Sequence, residues 1–191
     1  MKDILIQIQK ELQQNVIPGR VEFTNKMIPG AQKVYGVGMP VLNAMAKRYK
    51  NEGFDLVEFL WVSGAYEEKM LSAKILVLLA KKNPDEALRL TRRFAQELSD
   101  WAVCDTLGMG VSKALMKNHK EKILHLSDEL IDAPIFWQRR LGLVLLECFA
   151  KDASMHDHIE KRIQLLSSDK EHYVKKAIIW LRSAIAKKGK I

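Results

Sequence analysis

Apolar residues recur every three or four positions along most of this chain, which is the spacing of an amphipathic helix. No segment sustains the alternation of apolar and polar residues that a half-buried strand requires. Residues 15–39 contain two prolines and four glycines and are predicted to be irregular. We therefore expect an all-α fold. Helices are predicted over residues 3–14, 40–50, 54–61, 66–82, 84–98, 100–117, 120–131, 136–150, 156–167 and 171–187.

Capping residues mark several of the predicted helix ends. Asn83 precedes Pro84 and two carboxylates, so we expect an N-cap, a first-turn proline and charges that suit the positive end of a helix dipole. Ser168 and Glu171 have the spacing of a capping box. Pro134 is expected to separate the helices on either side of it. No linker divides the chain, so we predict a single domain over residues 1–191.

The four tryptophans are evenly spaced along the chain. Trp61, Trp101, Trp137 and Trp180 lie 40, 36 and 43 residues apart. Helix pairs that recur at about 40 residues are typical of HEAT and armadillo repeats. Such pairs stack into a solenoid with a continuous core and one concave binding surface. The spacing predicts a HEAT-like helical-repeat solenoid, and even spacing by chance is the alternative.

Charge extends the prediction from a fold to a class of partner. The chain has 31 Lys and Arg residues against 23 Asp and Glu residues, a net charge of +8. The excess is +3 in residues 1–100 and +5 in residues 101–191, so only the fold could gather it into one surface. We expect a concave basic groove and a polyanionic partner such as nucleic acid. Charge that serves only solubility is the alternative.

Composition and patterning exclude several classes of protein. Two cysteines are too few for a disulfide-rich scaffold or a cysteine-based zinc module. The longest apolar run, residues 75–80, is far too short to cross a membrane. The N-terminus lacks the pattern of a signal peptide. We therefore expect a soluble, cytoplasmic, monomeric protein with no membrane partner.

One carboxylate stands alone in an apolar helical segment. Asp105 is the only charged residue between Asp100 and Lys113. It lies four positions after Trp101, so the two side chains share one face of the helix. A carboxylate in this setting needs hydrogen-bond donors or a cation, because desolvating it alone is costly. Asp105 either pairs with a neighbouring helix for structural reasons or serves at a functional site.

Two arginines follow Trp137 in the helix predicted over residues 136–150. Arg140 falls on the apolar stripe of that helix or beside it, whereas Arg139 points further round. An arginine that faces a core requires a fixed anion. The anion could be Asp105, in a structural ion pair, or a phosphate.

A third ionisable residue accompanies the last tryptophan. Lys176 and Trp180 lie four positions apart, and an aromatic ring beside a cation suits a nucleic-acid surface. An ordinary amphipathic helix with an inward-facing Trp would show the same pattern. Three consecutive repeats nevertheless each combine a Trp with an ionisable neighbour.

Other candidate sites have weaker support. The glycines of residues 108–110 lack the strand-to-helix context of a phosphate-binding loop. His156 and His158 point to different faces of a helix, which disfavours a metal site. Cys104 and Cys148 lie in apolar runs and are expected to be inert core thiols. We predict no metal and no cofactor.

Four segments of the chain resemble a known family when they are read in order. They are Tyr35–Leu42, Ser99–Leu107, Phe136–Leu143 and Tyr173–Trp180. In sequence and spacing they are similar to the AlkD-like DNA alkylation repair enzymes, which are glycosylases built from HEAT-like helical repeats. The similarity covers the chain from about residue 20 onward.

The resemblance implies a DNA glycosylase of base excision repair. Such an enzyme would hydrolyse the N-glycosidic bond of cationic N3- or N7-alkylated purines in double-stranded DNA. The family's catalytic carboxylate falls on Asp105, and its two sugar-contacting aromatic residues fall on Trp101 and Trp180.

The resemblance also implies contacts to the DNA backbone. The family's DNA-binding arginine falls on Arg140, aligned by Trp137, or on Arg139 if the register slips by one residue. Lys176 is expected to contribute to the same basic surface.

Three other functions are compatible with parts of the sequence. A non-catalytic binder of DNA structures on the same scaffold would keep the basic groove and lack the Trp–Asp–Trp set that this chain retains. A helical scaffold for protein partners is favoured only by the even charge distribution. A helix-hairpin-helix glycosylase would use the glycine loop of residues 36–38 and Asp55, but Pro40 and the missing Pro-Gly pattern argue against it.

Overall fold

The computed structural model of the protein describes residues 1–186 and folds most of them into helices. No β-strand forms within these residues, which confirms the all-α prediction. Residue 187, the last of the final predicted helix, lies outside the described residues. The α-helices are α1 (Lys2–Gln14), α2 (Arg20–Met27), α3 (Met39–Tyr49), α4 (Gly53–Ser63), α5 (Tyr66–Leu79), α6 (Pro84–Phe94), α7 (Trp101–Leu115), α8 (Lys120–Ile131), α9 (Phe136–Val144), α10 (His156–Leu165) and α11 (His172–Ala186).

Alternate helices pack into two rows. Helices α3, α5, α7, α9 and α11 pack one against the next and form what we call the front row. Helices α4, α6, α8 and α10 form the back row, and each packs against the front-row helix that follows it in the chain. The stacking of successive helix pairs is the helical-repeat arrangement that the tryptophan spacing predicts.

Three helical segments differ from the sequence prediction. The helix predicted over residues 84–98 ends at Phe94 and continues as a 3₁₀ turn, Ala95–Glu97. Helix α2 lies inside the segment predicted to be irregular. Only one of its residues, Thr24, is buried, so α2 lacks the apolar stripe by which a helix is recognised in a sequence. The helix predicted over residues 136–150 ends at Val144 and continues as a 3₁₀ turn, Glu147–Phe149. The four residues 143–146, which span the end of this helix, are all fully buried.

Capping side chains fix several of the helix starts. The Asn83 side chain accepts a hydrogen bond from the Glu86 N–H at 3.2 Å, and Pro84 occupies the first turn of α6, as predicted. The break at Pro134 is also confirmed, because α8 ends at Ile131 and α9 begins at Phe136. The predicted capping box at Ser168 is wrong. Asp169 instead accepts from the Glu171 N–H at 2.9 Å, a local bond that a short Asp side chain makes readily.

Glycines set the close spacing of α7 against its neighbours in the front row. A Cβ on Gly108 would lie 2.7 Å from Val144 Cγ1 and 2.8 Å from Leu141 Cδ1, so α9 crosses α7 at a point where only glycine fits. A Cβ on Gly110 would collide with Val77 of α5 in the same way. The glycines of residues 108–110 therefore serve helix packing rather than phosphate binding.

Residues 28–38, which we call the strap, tie α2 to the front row. The fully buried carboxylate of Glu67 on α5 accepts hydrogen bonds from the backbone N–H groups of Tyr35, Gly36 and Val37 at 2.9, 2.7 and 3.0 Å. Closer to α2, the strap passes against the backbone of Ser99 at Gly30, where a Cβ would collide with the Ser99 carbonyl oxygen. These contacts fix α2 beside the N-terminus of α7.

Ion pairs connect the helices of the back row. Arg89 and Arg93 of α6 both pair with Glu58 of α4. Arg92 pairs with Glu129 of α8 at 2.6 Å. One helix further along, Arg162 of α10 bonds Asp128 of α8 at 2.7 Å. Exposed pairs of this kind add little stability, but they neutralise the cations on this side of the molecule.

The net charge is therefore distributed unevenly between the two rows. The front-row helices contain ten basic and three acidic residues, a formal charge of +7. The back-row helices contain seven basic and nine acidic residues, a formal charge of −2. The fold thus gathers the excess positive charge on the row that carries Asp105 and Arg140.

Candidate active site

A groove of about 790 Å³ runs between the C-terminal end of α2 and the front-row helices α7, α9 and α11. Three cationic side chains line it, from Lys26, Arg140 and Lys176, together with His172. Among the lining residues that the structure describes, Asp105 is the only carboxylate. The groove therefore combines a positive wall with one acidic group.

Trp101 forms one side of the groove at the first turn of α7. Asp100 caps this helix by accepting a hydrogen bond from the Val103 N–H at 2.9 Å, which fixes where the helix starts and how the indole emerges from it. The Trp101 Nε1–H donates to the carbonyl oxygen of Met27 at 3.2 Å. The ring is thus held by α2 while it lines the groove.

Asp105 and Arg140 form a bidentate ion pair between α7 and α9. Arg140 Nη2 lies 2.8 Å from both carboxylate oxygens of Asp105, and Nε donates to Oδ1 at 3.1 Å. Arg140 Nη1 donates to the carbonyl oxygen of Tyr173 at 2.8 Å. The Arg140 side chain is 7% exposed, whereas that of Asp105 is 22% exposed and remains open to the groove. The sequence left open whether Arg140 pairs with Asp105 or with a phosphate, and in the structure it pairs with Asp105.

Burial and the guanidinium act on Asp105 in opposite directions. Burial raises the pKa of Asp105 above the usual value of an aspartic acid, and the charge and hydrogen bonds of Arg140 partly offset that rise. A carboxylate that is screened from water in this way interacts more strongly with a nearby positive charge than an exposed one does. Asp105 is suited to stabilise a cation in the groove.

Helix α11 supplies the opposite side of the groove. Trp180 is half-buried and lines the groove one helical turn beyond the exposed side chain of Lys176. The structure thus brings five of the predicted residues to one site from three helices. They are Trp101 and Asp105 on α7, Arg140 on α9, and Lys176 and Trp180 on α11.

Two predicted DNA-binding residues lie outside the groove. Arg139 Nε bonds Asp169 at 2.6 Å, and its Nη1 donates to the carbonyl oxygens of Ala133 and Pro134, so it ties the α8–α9 turn to the start of α11. Burial raises the pKa of Asp169, but Arg139 and the Glu171 N–H outweigh that effect and lower it.

Trp137 also lies outside the lining of the groove. It is 6% exposed, and the centroid of its ring lies 4.9 Å from that of Phe136 and 4.8 Å from that of Tyr173. Trp61 is fully buried as well and stacks on Phe94 at 4.0 Å. The four tryptophans thus divide into two that build the core and two that line the groove.

Sequence reasoning missed the contributions of Lys26, Met27 and His172. The first two belong to α2, which has no apolar stripe, so no periodic signal could place them near Asp105. His172 could have been predicted from the position of Trp180. The two residues lie eight positions apart, and residues at that spacing lie on the same face of a helix.

A second recess of about 450 Å³ meets Trp101 and Asp105 from the other side of α2. Its lining is largely apolar and rich in methionine, with Phe23 and Arg20 of α2 at its edge. We call it the apolar recess. Asp105 stands where the cationic groove and the apolar recess adjoin.

A comparison with protein families matches nearly the whole chain. Residues 8–190 match the family described as DNA alkylation repair enzyme. This chain belongs to that family. Membership supports a role in DNA repair and an interaction with DNA, and it agrees with the positive charge of the groove. No curated protein matches the chain significantly.

Residues 1–186 contain neither a membrane-spanning helix nor a metal-binding cluster. No described helix is long and apolar enough to cross a membrane. Over the same residues, no group of three or more His, Cys, Asp or Glu side chains is arranged to hold a metal ion. Cys104 is fully buried, and burial raises the pKa of the Cys148 thiol to about 12, so neither thiol ionises readily.

Proposed function

We propose that this protein is a DNA glycosylase that hydrolyses the N-glycosidic bond of cationic N3- or N7-alkylated purines in duplex DNA. The observation that carries the proposal is the shared lining of one groove by Trp101, Asp105 and Trp180, with a paired arginine behind the carboxylate. Family membership supports the wider role in alkylation repair.

The substrate explains why one carboxylate is enough. An N3- or N7-alkylated purine already carries a positive charge, so it leaves as a neutral base when the bond from C1′ to nitrogen breaks and the bonding pair goes to the nitrogen. No proton has to be delivered to the leaving group. Within residues 1–186, the groove lining has no second carboxylate to act as a general acid.

Asp105 has two tasks in this reaction. As the bond breaks, positive charge grows on the deoxyribose, and a fixed carboxylate stabilises it without having to reorganise. The same carboxylate can orient a water molecule, whose oxygen bonds to C1′ and whose proton is released. Arg140 supports both tasks, because its three hydrogen bonds hold the carboxylate in one orientation and favour its ionised form.

Trp101 and Trp180 present aromatic rings to the same space. The face of an indole ring is negative and attracts a nearby cation or the polarised C–H edges of a sugar that is becoming cationic. Two rings on opposite sides of the groove would also hold the nucleotide in position. The hydrogen bond from Trp101 to Met27 reduces the number of orientations that the first ring can adopt.

The direct test is the release of free bases from methylated duplex DNA. The purified chain is incubated with this DNA, and free 3-methyladenine and 7-methylguanine are quantified. We expect release by the wild-type chain and a loss of at least a hundredfold in rate for Asp105→Asn, with DNA binding nearly intact.

Asp128→Asn provides a matched control. Asp128 also pairs with an arginine, Arg162, but it lies in the back row. This variant should release bases at the wild-type rate. Equal release by Asp105→Asn would contradict the mechanism. DNA binding without base release by the wild-type chain would indicate a non-catalytic DNA-binding protein.

A further inference from the structure

The front row carries a second cationic depression, of about 330 Å³, on helices α3, α5 and α7. Lys47 and Asn43 of α3, Lys74 of α5 and Thr106 of α7 line it. We call it the lysine depression. Nothing in the proposed cleavage reaction uses these side chains, so their presence together calls for a separate explanation.

Lys74 is held in an unusual setting for a lysine. Its side chain is half-buried, and no salt bridge joins Lys74 or Lys47 to an acid within residues 1–186. Burial alone lowers the pKa of Lys74, and no carboxylate offsets it. All four arginines of the back-row helices, by contrast, already have carboxylate partners. A half-buried ammonium group without a partner is well placed to receive an external anion.

The neighbours of the two lysines suit an oxyanion. The Asn43 amide and the Thr106 hydroxyl are neutral hydrogen-bond donors, of the kind that accompany lysines on nucleic-acid backbones. None of the described residues that line the depression is acidic. Ala46, Val77, Leu78 and Gly110 complete the lining. A phosphate group would therefore meet two ammonium groups and two neutral donors there, beside an apolar wall, and no negative charge from the described residues.

The position of the depression relates it to Asp105. Thr106 lines both the lysine depression and the apolar recess, and Asp105 lines both the apolar recess and the groove. The three hollows thus follow one another across the front row. A polyanion that lies along this row would reach the lysine depression and the groove at the same time.

We propose that the lysine depression binds a backbone phosphate of the same DNA duplex whose damaged nucleotide occupies the groove. The inference rests on the proposed function for its ligand, and it adds a phosphate site formed by Lys47, Lys74, Asn43 and Thr106. This site positions the duplex along the front row and takes no part in breaking the glycosidic bond.

The test measures how DNA binding depends on salt. A fluorescent undamaged duplex is titrated with protein at several salt concentrations, and the logarithm of the association constant is plotted against that of the salt concentration. Lys74→Gln should weaken binding and make the slope shallower by about 0.9, the value for one lost phosphate contact. Lys47→Gln should act in the same direction, and Lys74→Arg should retain the wild-type slope because it keeps the charge.

The control removes one charge elsewhere. Lys161 is an exposed lysine of α10 in the back row, and Lys161→Gln should leave the slope unchanged. If Lys74→Gln and Lys161→Gln give the same slope while the wild-type chain binds DNA, the phosphate site is disproved and the glycosylase proposal stands. If the wild-type chain fails to bind duplex DNA at low salt, the proposed function fails and the phosphate site with it. Circular dichroism verifies that each variant is folded.

Discussion

Arg140 commits its guanidinium to Asp105: Nη2 contacts both carboxylate oxygens at 2.8 Å, and Nε adds a third contact at 3.1 Å. The remaining terminal nitrogen donates to the Tyr173 carbonyl oxygen. The guanidinium of Arg140 is thus occupied by Asp105, the structural partner that the sequence suggested. A contact between Arg140 and a DNA phosphate stays a prediction. The geometry makes Arg140 a positioning residue for the carboxylate that we propose as catalytic.

This relationship predicts a change in the pH dependence of base release. Catalysis requires ionised Asp105, so the rate falls as the pH drops through the pKa of that group. Burial raises this pKa and Arg140 lowers it, so Arg140→Ala should raise it further and move the acid limb of the pH–rate profile to higher pH. Single-turnover rates measured from pH 5 to pH 9 would show the shift.

Two further measurements distinguish a role of Arg140 in positioning Asp105 from a role in binding a DNA phosphate. Arg162→Ala, which removes the partner of Asp128 in the back row, should leave the acid limb where it is. Arg140→Ala should also leave the salt slope of DNA binding unchanged if the guanidinium serves only Asp105. A shallower slope would show that Arg140 contacts the DNA backbone, the role that the family resemblance implies.

The division of the tryptophans predicts two kinds of variant. Trp180→Leu removes an aromatic face from the groove and should slow base release by about 2- to 30-fold, the effect of losing a cation–π contact of about 0.5–2 kcal/mol. Trp137→Leu removes a buried ring that packs between Phe136 and Tyr173, so it should lower the melting temperature. Rates and melting curves are measured for both. A Trp180→Leu enzyme with the wild-type rate would rule out an aromatic contact with the nucleotide.

The close crossing of α7 and α9 predicts a large effect of one methyl group. Gly108→Ala places a Cβ against Val144 and Leu141 and should lower the free energy of unfolding by about 1–3 kcal/mol, as measured by urea denaturation. The double variant Gly108→Ala with Val144→Ala should lose less than the sum of the two single losses, since the smaller side chain makes room. Strict additivity would show that the two residues do not interact.

The hydrogen bonds between Glu67 and the strap predict a local effect of substituting Glu67. In Glu67→Gln an amide N–H₂ replaces one carboxylate oxygen and faces a backbone donor of residues 35–37, so one buried N–H loses its acceptor, at a cost of about 1–3 kcal/mol. Hydrogen exchange should become faster at residues 35–37. The exposed Glu121→Gln on α8 is the control and should have no such effect. Unchanged protection at residues 35–37 would show that Glu67 does not hold the strap.

The sequence predicted those parts of the site that depend on periodicity. Trp101 and Asp105 share a helix face because they lie four residues apart, and the same holds for Lys176 and Trp180. The isolation of Asp105 in an apolar helix pointed to a cationic partner, which is Arg140. These inferences need only the geometry of single helices.

The remainder of the site depends on packing between helices. Helix α2 is held by the strap and buries only Thr24, so its own sequence carries no sign that Lys26 and Met27 reach the groove. Arg139 and Arg140 are adjacent and chemically identical, and their different partners are set by where Asp169 and Asp105 lie in the fold. No pattern along one helix distinguishes them.

The opposite charges of the two rows have a consequence for how the protein finds DNA. A molecule with most of its positive charge on one side has a large electric dipole, and the field of a duplex turns that side toward the phosphates before contact. The torque acts over about 8 Å at physiological ionic strength, so collisions that start near the duplex become productive encounters. If DNA is the partner, as we propose, the carboxylates of the back row would keep the far side of the molecule from competing for the same strand.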